Sequence, residues 1–492
     1  MNNSFDNGFI GGQEEGVQEL LKAMQAGAIT GRDTADQSLS YEPLKAESLE
    51  TTLKVLESRQ KDIRLLNAMP KLTAYNTVEE FLQLDSYGTE RGGFYNEGEL
   101  SDVEDSTYIR RSELIKYLQV TGEVTMQAQM VRSFVDAMRK EVENKVMWLN
   151  KRANRYITSG NQSHVPQEWN GLYAQHQSVG AGAGFLYSTL EDYFSSTVIV
   201  DMRGASVKQT DIEEAAVRID ANFGNVSDFF APTTVISTIS RDFFNDQRIM
   251  LNANNEGAYN GRIGTVAKSI DTSLGAVNLQ ADKFMKHEHP EGRLLAGGAT
   301  SLKSPNAPVT GGAPALAVDP LAKFTAGEVG TVYYAVSSIN RYGESAMTLM
   351  DAAAVAITVG KAVDLTFTSG GGAVPATSYR IYRTEVTAAG AATNEKFWPL
   401  FTISAADLAA GYDGGIAGVV RDQGRFMPNT EQGFITEMID DVLSYKQLAP
   451  VSKLDLAVIS MSRRFISFCF ATPQLYAPKK MVRFINCSKV LN

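Results

Sequence analysis

His287-Glu288-His289 is the one cluster in this chain with the residue types and spacing of a metal site. On a strand, positions i and i+2 share a face, so both imidazoles could meet one ion. No third ligand is suggested nearby, and Pro290-Glu291-Gly292 follows as a loop. The plainer expectation is therefore a solvated loop, with His287 and His289 an outlying metal pair. Nucleophilic chemistry has less footing still. There is no G-x-S-x-G elbow, and neither Cys469 nor Cys487 has a histidine at a recognisable spacing. The glycine runs at 180–184 and 370–372 lack the strand–loop–helix setting that cradles phosphate, and read as loops or bulges. Glu213-Glu214 and Asp440-Asp441 read as capping and surface carboxylates. The expectation is a chain with no catalytic residues and no cofactor.

The elements that carry these residues are more informative. Residues 1–45 are Gly-, Gln- and Ser-rich, with one short helix expected over 17–24, and read as an extended arm. Leu49, Leu53, Leu56, Ile63 and Leu66 recur at helical spacing between Pro43 and Pro70. The stretch 78–122 differs: strand-like ends flank a Gly-rich, acidic middle, which predicts a long two-stranded ribbon with a tip. Such a ribbon buries no core alone and must lie on something. Val131, Phe134, Met138, Val142, Val146, Leu149, Ala153 and Ile157 then step by three or four, predicting one long helix ending at Gly160. Thr210-x-x-Glu213 reads as a capping box opening a helix that Gly224 closes. DFFAPTTVISTIS reads as a buried strand, and RDFFNDQRIML as a helix. A Gly/Ala/Pro-rich stretch over 292–322 reads as a linker. Beyond it, YYAVSSINRYGES, AAVAITV, AVDLTFTS, TSYRIYRTE and KFWPLFTIS predict five strands of a small β-sandwich. LDLAVISM, RFISFCFA and KMVRFINC read as three closing strands.

Composition narrows the function classes. With 46 basic and 56 acidic residues, the net charge of −10 offers no overall positive field for nucleic-acid phosphates. No apolar run is long enough for a membrane helix, and no signal peptide is visible after Met1, so the sequons are expected to be idle. Two cysteines are too few for a disulfide framework, and their apolar surroundings predict small buried thiols in a reducing cytoplasm.

The order arm, ribbon, long helix, then two mixed segments resembles the major capsid protein of tailed bacteriophages, with the Hong Kong 97-type fold. TDIEEAAVRIDANFGNVSDFFAPTTVISTISRDFFNDQR and RRFISFCFATPQLYAPKKMVRFINC resemble that family's loose internal and closing patterns. The Y-x-V-x-x-x-N-x-x-G-E-S run and SYRIYR resemble an immunoglobulin-like or fibronectin type III domain. The resemblance implies an α+β fold with an N-terminal arm and helix (1–77), an E-loop (78–122) and a spine helix with the start of a peripheral domain (123–204). An axial and peripheral α/β region (205–294), the linker with the inserted all-β sandwich (295–428) and closing core strands (429–492) follow.

What the resemblance implies is a structural protein, not an enzyme, which self-assembles as hexamers and pentamers of an icosahedral phage head around double-stranded DNA. Implied partners are further copies of the chain, portal and scaffolding proteins, cement or decoration proteins, and DNA bound without sequence preference; no membrane is implied. Assembly would occur in the host cytoplasm. A sheath, tube or portal protein, an encapsulin-like shell and a soluble glycan-binding protein remain open alternatives. In the shell reading, Asp85, Glu90, Arg91, Glu97, Glu99, Asp102, Glu104, Asp105, Arg110 and Arg111 of the E-loop would meet a neighbour. The basic helix candidates are Arg132, Arg139, Lys140, Lys145, Lys151, Arg152 and Arg155. Some family members lock the shell through an E-loop lysine. Here no lysine lies between Lys71 and Lys116, which argues against that cross-link. No removal of an N-terminal segment is expected, and the insertion is expected to point outward.

Overall fold

The structure is a computed structural model that describes residues 60–88, 93–101, 103–130, 136–180, 185–246, 268–286, 288–386, 392–413, 415–458 and 460–489. The arm and most of the first expected helix lie outside these residues. A helical turn, Leu65–Ala68, leads into β1 (Lys71–Thr73). The ribbon is the antiparallel pair β2 (Val78–Ser86) and β3 (Thr107–Leu114), in register from Val78↔Leu114 to Leu84↔Tyr108, with a one-residue shift before Ser86↔Thr107. Ile115, buried, turns the chain into β4 (Lys116–Thr125).

A short helix, Met126–Met130, precedes the long helix Ala137–Ser159. The expected single helix from about residue 125 is thus revised. Asp136 is extended (ψ 112°) and accepts the Met138 and Arg139 amides at 2.9 and 3.4 Å, so it starts the long helix as an N-cap. Val131, Phe134 and Arg132 lie outside the described residues. Along the helix the stripe deepens: Met138, Val142 and Val146 are half-buried, whereas Leu149, Ala153 and Ile157 are buried. Leu149 and Ile157, fully buried, each contribute roughly 1.5–3 kcal/mol, and Ala153 less. The helix ends where Gly160 turns extended (ψ 142°), and only glycine fits there, since a Cβ would sit 2.7 Å from the Tyr156 carbonyl and 2.8 Å from that of Trp169.

The next segment holds β5 (Ile199–Asp201), the helix Gln209–Asp220, β6 (Asp228–Ala231), the helix Thr233–Asp246, β7 (Ser269–Thr272) and β8 (Gly275–Ala281). Two expectations fail here. The first helix is capped two residues earlier than the Thr210 box: the Lys208 amide donates to Asp211 at 2.8 Å, and Glu213 instead accepts the Ser273 amide. The run TTVISTIS is helix, not strand. Pro232 opens it, accepting the Val235 and Ile236 amides, and Val235, Ile236 and Ile239 bury at helical spacing. β-Branching lowers helix propensity by only tenths of a kcal/mol per residue, so burial of one face prevails.

The sandwich is built from β9 (Val309–Thr310), β10 (Ala315–Val318), β11 (Gly330–Val332), β12 (Tyr334–Asn340), β13 (Gly343–Glu344), β14 (Thr348–Leu349), β15 (Val355–Ile357), β16 (Lys361–Thr368), β17 (Ser378–Thr384), β18 (Phe397–Ser404) and β19 (Val419–Asp422). Sheet β13-β12-β17-β18 faces sheet β10-β16-β19 across Tyr334, Val336, Val363, Leu365, Phe367, Tyr379, Ile381 and Val420. The stretch 292–322 is not a solvated linker. Arg293 and Phe397 exchange two backbone hydrogen bonds of 2.8 Å, and Ala315–Val318 pairs along β16.

The closing strands are β20 (Thr430–Thr436), β21 (Leu443–Asp455), β22 (Ser462–Leu475) and β23 (Val482–Ser488). They serve two sheets, β1-β21-β22-β4 and β5-β23-β20-β6-β8-β7. Most of LDLAVISM is the connection between β21 and β22, a correction to the strand expected there. The four-stranded sheet packs Leu118, Val120, Cys469 and Ala471 against the long helix. Cys469 and Cys487 are buried and unpaired. No helix among the described residues is long and apolar enough to cross a membrane.

Candidate inter-subunit surface

Strand alternation gives the ribbon two unlike faces. Glu79, Phe81, Gln83, Ile109, Arg111 and Glu113 turn towards the body and are half-buried. Phe81 meets Tyr476 edge-on at 5.0 Å, Gln83 donates to the Tyr476 carbonyl, and Lys479 pairs with Asp85 at 3.1 Å. The opposite face, with Val78, Leu82, Leu84, Tyr108 and Leu114, is exposed. Beyond it the tip shows Tyr87, Phe94, Leu100 and Val103, each more than 80% exposed. Large apolar side chains gathered on an element without a core of its own mark a contact surface.

The four-stranded sheet offers a second such surface on the face away from the long helix. Cross-strand pairing sets Tyr117 beside Phe470, Gln119 beside Phe468 and Thr121 beside Ile466, with Leu454 completing the last row. Tyr117 and Phe470 meet edge-on at 4.8 Å, and Phe468 lies 4.9 Å from Phe470. Tyr117 and Leu454 are more than half exposed.

Charge was the basis on which sequence reasoning chose contact residues, and the fold divides those residues. Arg110 pairs with Glu80 across the ribbon. Glu99 accepts the Asn96 amide within the tip, while Glu97, Glu104 and Asp105 are exposed there. On the long helix, Arg139 and Lys140 pair with Glu143 at 3.4 and 3.1 Å, and Lys145 pairs with Glu141 at 2.9 Å. These are local pairs of small energetic weight. Lys151 is half-buried. Arg152 donates to Tyr156 and lies over Trp148, and both Arg152 and Arg155 turn into a crevice. Glu90, Arg91, Asp102 and Arg132 lie outside the described residues. The apolar candidates carry no charge by which to single them out. FLQLDSY alternates with leucines on the face opposite Phe81, and that was the available signal.

The crevice, of about 1030 Å³, opens between the body and the sandwich. Its floor holds the expected histidine cluster in another role. His289 Nε2 lies 2.9 Å from Glu344, which also accepts from Arg293 (2.8 Å), Arg380 (3.1 Å), Ser337 (2.5 Å) and Tyr382. Glu288, His289 and Glu344 bring their ligand atoms within 4.8 Å of one another. Two guanidiniums already supply the positive charge that a cation would, so the cluster is an ion-pair hub rather than a metal centre. His287 lies outside the described residues, and the solvated-loop expectation for His289 is corrected. Burial would raise the Glu344 carboxyl, but Arg380, His289, Ser337 and Tyr382 hold it well below the usual range. Elsewhere in the crevice, burial and the charge of Glu288 push Glu168 up to about 8. Burial lowers His164 to about 4. His176, behind the crevice, bonds Tyr193 and the Met481 carbonyl, and burial lowers it to about 3. None of these groups forms a nucleophile–base pair.

The family model described as SU10 major capsid protein matches residues 31–336. A putative major capsid protein of Enterococcus phage phiEF24C is 23% identical over 483 residues, covering 95% of this chain and 94% of that protein. The major capsid protein of Staphylococcus phage S25-3 is 23% identical over 481 residues, covering 95% of each. Among solved structures, the capsid of a native GTA particle aligns over 93% of this chain and 99% of that chain, with 8% identity and a TM-score of 0.44.

Proposed function

The chain belongs to the SU10 major capsid protein family and is a subunit of a phage capsid shell; we propose that its copies join by laying the apolar face of each ribbon on the outer sheet face of a neighbour. The observation that carries this reading is the exposure of Leu82, Leu84, Tyr108 and the tip aromatics on a ribbon already fastened to its own body by its other face. Tyr117, Ile466, Phe468, Phe470 and Leu454 supply a complementary apolar floor on a different part of the chain. A contact between two different patches is head-to-tail, and such contacts close into rings, as hexamers and pentamers require. The charges named from the sequence would line the rim, where exposed pairs contribute about 0–1 kcal/mol each. An acidic chain suits the wall of a container for DNA, since it repels the polyanion that it encloses. The sandwich would project outward as an accessory surface, with portal, scaffolding and decoration proteins as further partners.

Deleting residues 86–110 tests this. Purified wild-type protein is expected to give megadalton particles in light scattering and shells in micrographs. The deletion is expected to leave folded subunits that do not assemble. Shells of normal stability from the deletion variant would overturn the ribbon's role, and soluble wild-type monomers at high concentration would count against the shell.

A further inference from the structure

The outer strands of the sandwich are mostly covered by their own chain. Arg293 exchanges two backbone hydrogen bonds of 2.8 Å with Phe397 at the start of β18. The Thr300 amide donates to the Glu344 carbonyl of β13 at 2.9 Å. Tyr412 lies against β19, donating its amide to Val419 at 3.1 Å and accepting the Arg421 amide at 3.0 Å. β10 differs. Its one strand neighbour among the described residues is β16, in register from Ala315↔Asp364 to Val318↔Lys361.

Ladder alternation says where the unused groups of β10 point. One step past Val318, the Asp319 amide donates to the Gly360 carbonyl at 3.3 Å. Hydrogen-bonded pairs recur at every second residue of an antiparallel ladder, so Ala315 and Ala317 also turn their backbone groups to β16. The amides and carbonyls of Leu316 and Val318 therefore point outward, off the sheet. Their side chains take another direction. Leu316 lies opposite the core residue Val363 and shares its face, and Val318, two residues on, does the same. Yet Leu316 is 38% exposed and Val318 81%, so the apolar face runs on past the last strand uncovered. Exposed sheet edges are ordinarily guarded by charge. Here no charged residue lies between Lys303 and Asp319.

We propose that β10 pairs antiparallel with β10 of a second copy, across a two-fold axis at Ala317. In that register Ala317 faces its own counterpart, and Leu316 faces Val318 in both directions. The outward backbone groups of those two residues meet, and their apolar side chains cover each other. Size selects the occupant. Four residues span about 13 Å, so the contact is far smaller than the roughly 800 Å² per partner of a free-standing complex. A separate protein would not stay on it. A second copy fixed in the same shell meets it at the high effective concentration of a linked site. The same patch on both copies is an isologous contact, which supplies a two-fold join between one ring and the next. The inference rests on the chain being a shell subunit, not on the ribbon contact.

Cysteine cross-linking in assembled particles of the full-length chain tests it, read as dimer on a non-reducing gel. Cys469 and Cys487 are buried, so an introduced thiol reports alone. Ala317→Cys is expected to give dimer at roughly tenfold the yield of Ala315→Cys, whose counterpart lies beyond the about 7 Å reach of a disulfide in this register. Adding Val318→Lys, a charge on the inward face of the edge, should lower the Ala317→Cys yield about tenfold. Free subunits should give only the background yield. Equal yields from the two single variants, or from particles and free subunits, would overturn the proposal. So would an Ala317→Cys yield that Val318→Lys leaves unchanged, or a cross-link to a different polypeptide, which would give the edge to a separate partner. Deleting the ribbon asks whether particles form, whereas this measurement reads a contact inside them, so the two readings fail separately.

Discussion

Asn154 on the long helix and Asp282 at the end of β8 share two hydrogen bonds of 3.0 and 2.9 Å across 128 positions of sequence. Asp282 also accepts the Arg64, Leu65 and Phe284 amides, and Asn154 Oδ1 accepts the Leu66 amide at 2.8 Å. One buried knot thus joins the first helical turn, the long helix and the six-stranded sheet. Asp282→Ala would strand several buried donors and is expected to cost roughly 3–5 kcal/mol. The check is the urea midpoint of the unassembled subunit, and a shift worth under 1 kcal/mol would mean the knot is replaceable by water.

Glu344 gives a second stability prediction. Glu344→Gln leaves Arg293 and Arg380 with less compensation and is expected to cost about 3 kcal/mol or more. Limited proteolysis should then cut within 288–305, where the wild type resists. The depressed carboxyl also fixes a pH window. Its stabilisation is complete above about 4.5, the unfolded value, and is lost as pH falls below it.

His176 and Glu168 act in opposite directions. The folded chain holds His176 neutral down to about 3 while the unfolded chain takes a proton near 6.5, so this residue removes about 1.4 kcal/mol per pH unit as pH falls between those values. The folded chain keeps the Glu168 proton to about 8 while the unfolded chain releases it near 4.5, so stability falls as pH rises across that window. Denaturation midpoints for Glu168→Gln against wild type at pH 5 and 8 should diverge, with the variant relatively more stable at pH 8. Parallel profiles would refute the assignment.

Phe470→Ser should separate assembly from folding. The side chain is half-buried beside Tyr117, so the subunit is expected to lose on the order of 1 kcal/mol. Loss of a central aromatic from a repeated interface is expected to cost about 2 kcal/mol or more per contact, enough to suppress shells. Light scattering on folded variant protein reads this directly.

Much of the architecture was legible from periodicity. The ribbon's alternation and the stripe ending at Ile157 were visible because one face of each is buried by something else. Errors fell where local preference and tertiary burial disagree. The TTVISTIS run is β-branched yet lies on a helix, since Pro232 starts it and one face packs on a sheet. The stretch 292–322 has the composition of a linker, yet Arg293 bridges to Phe397 and Leu316 lies on a paired strand, because sandwich edges were available to them. Of the hub around Glu344 only the His287-Glu288-His289 run stood out, and its role as an ion-pair partner did not. Its members are spread from His289 to Tyr382, and only the fold brings them together.

The sandwich leaves and rejoins the body at one place. Lys489 donates to the Pro290 carbonyl before it, and Asn486 accepts the Met427 amide and donates to the Arg425 carbonyl after it, all from the end of β23. An excursion whose two ends are already neighbours adds little chain-closure entropy to the body, whatever its length. If the sandwich is an insertion, that junction is where a foreign domain with closely spaced termini is expected to graft with the remaining core strands kept in register.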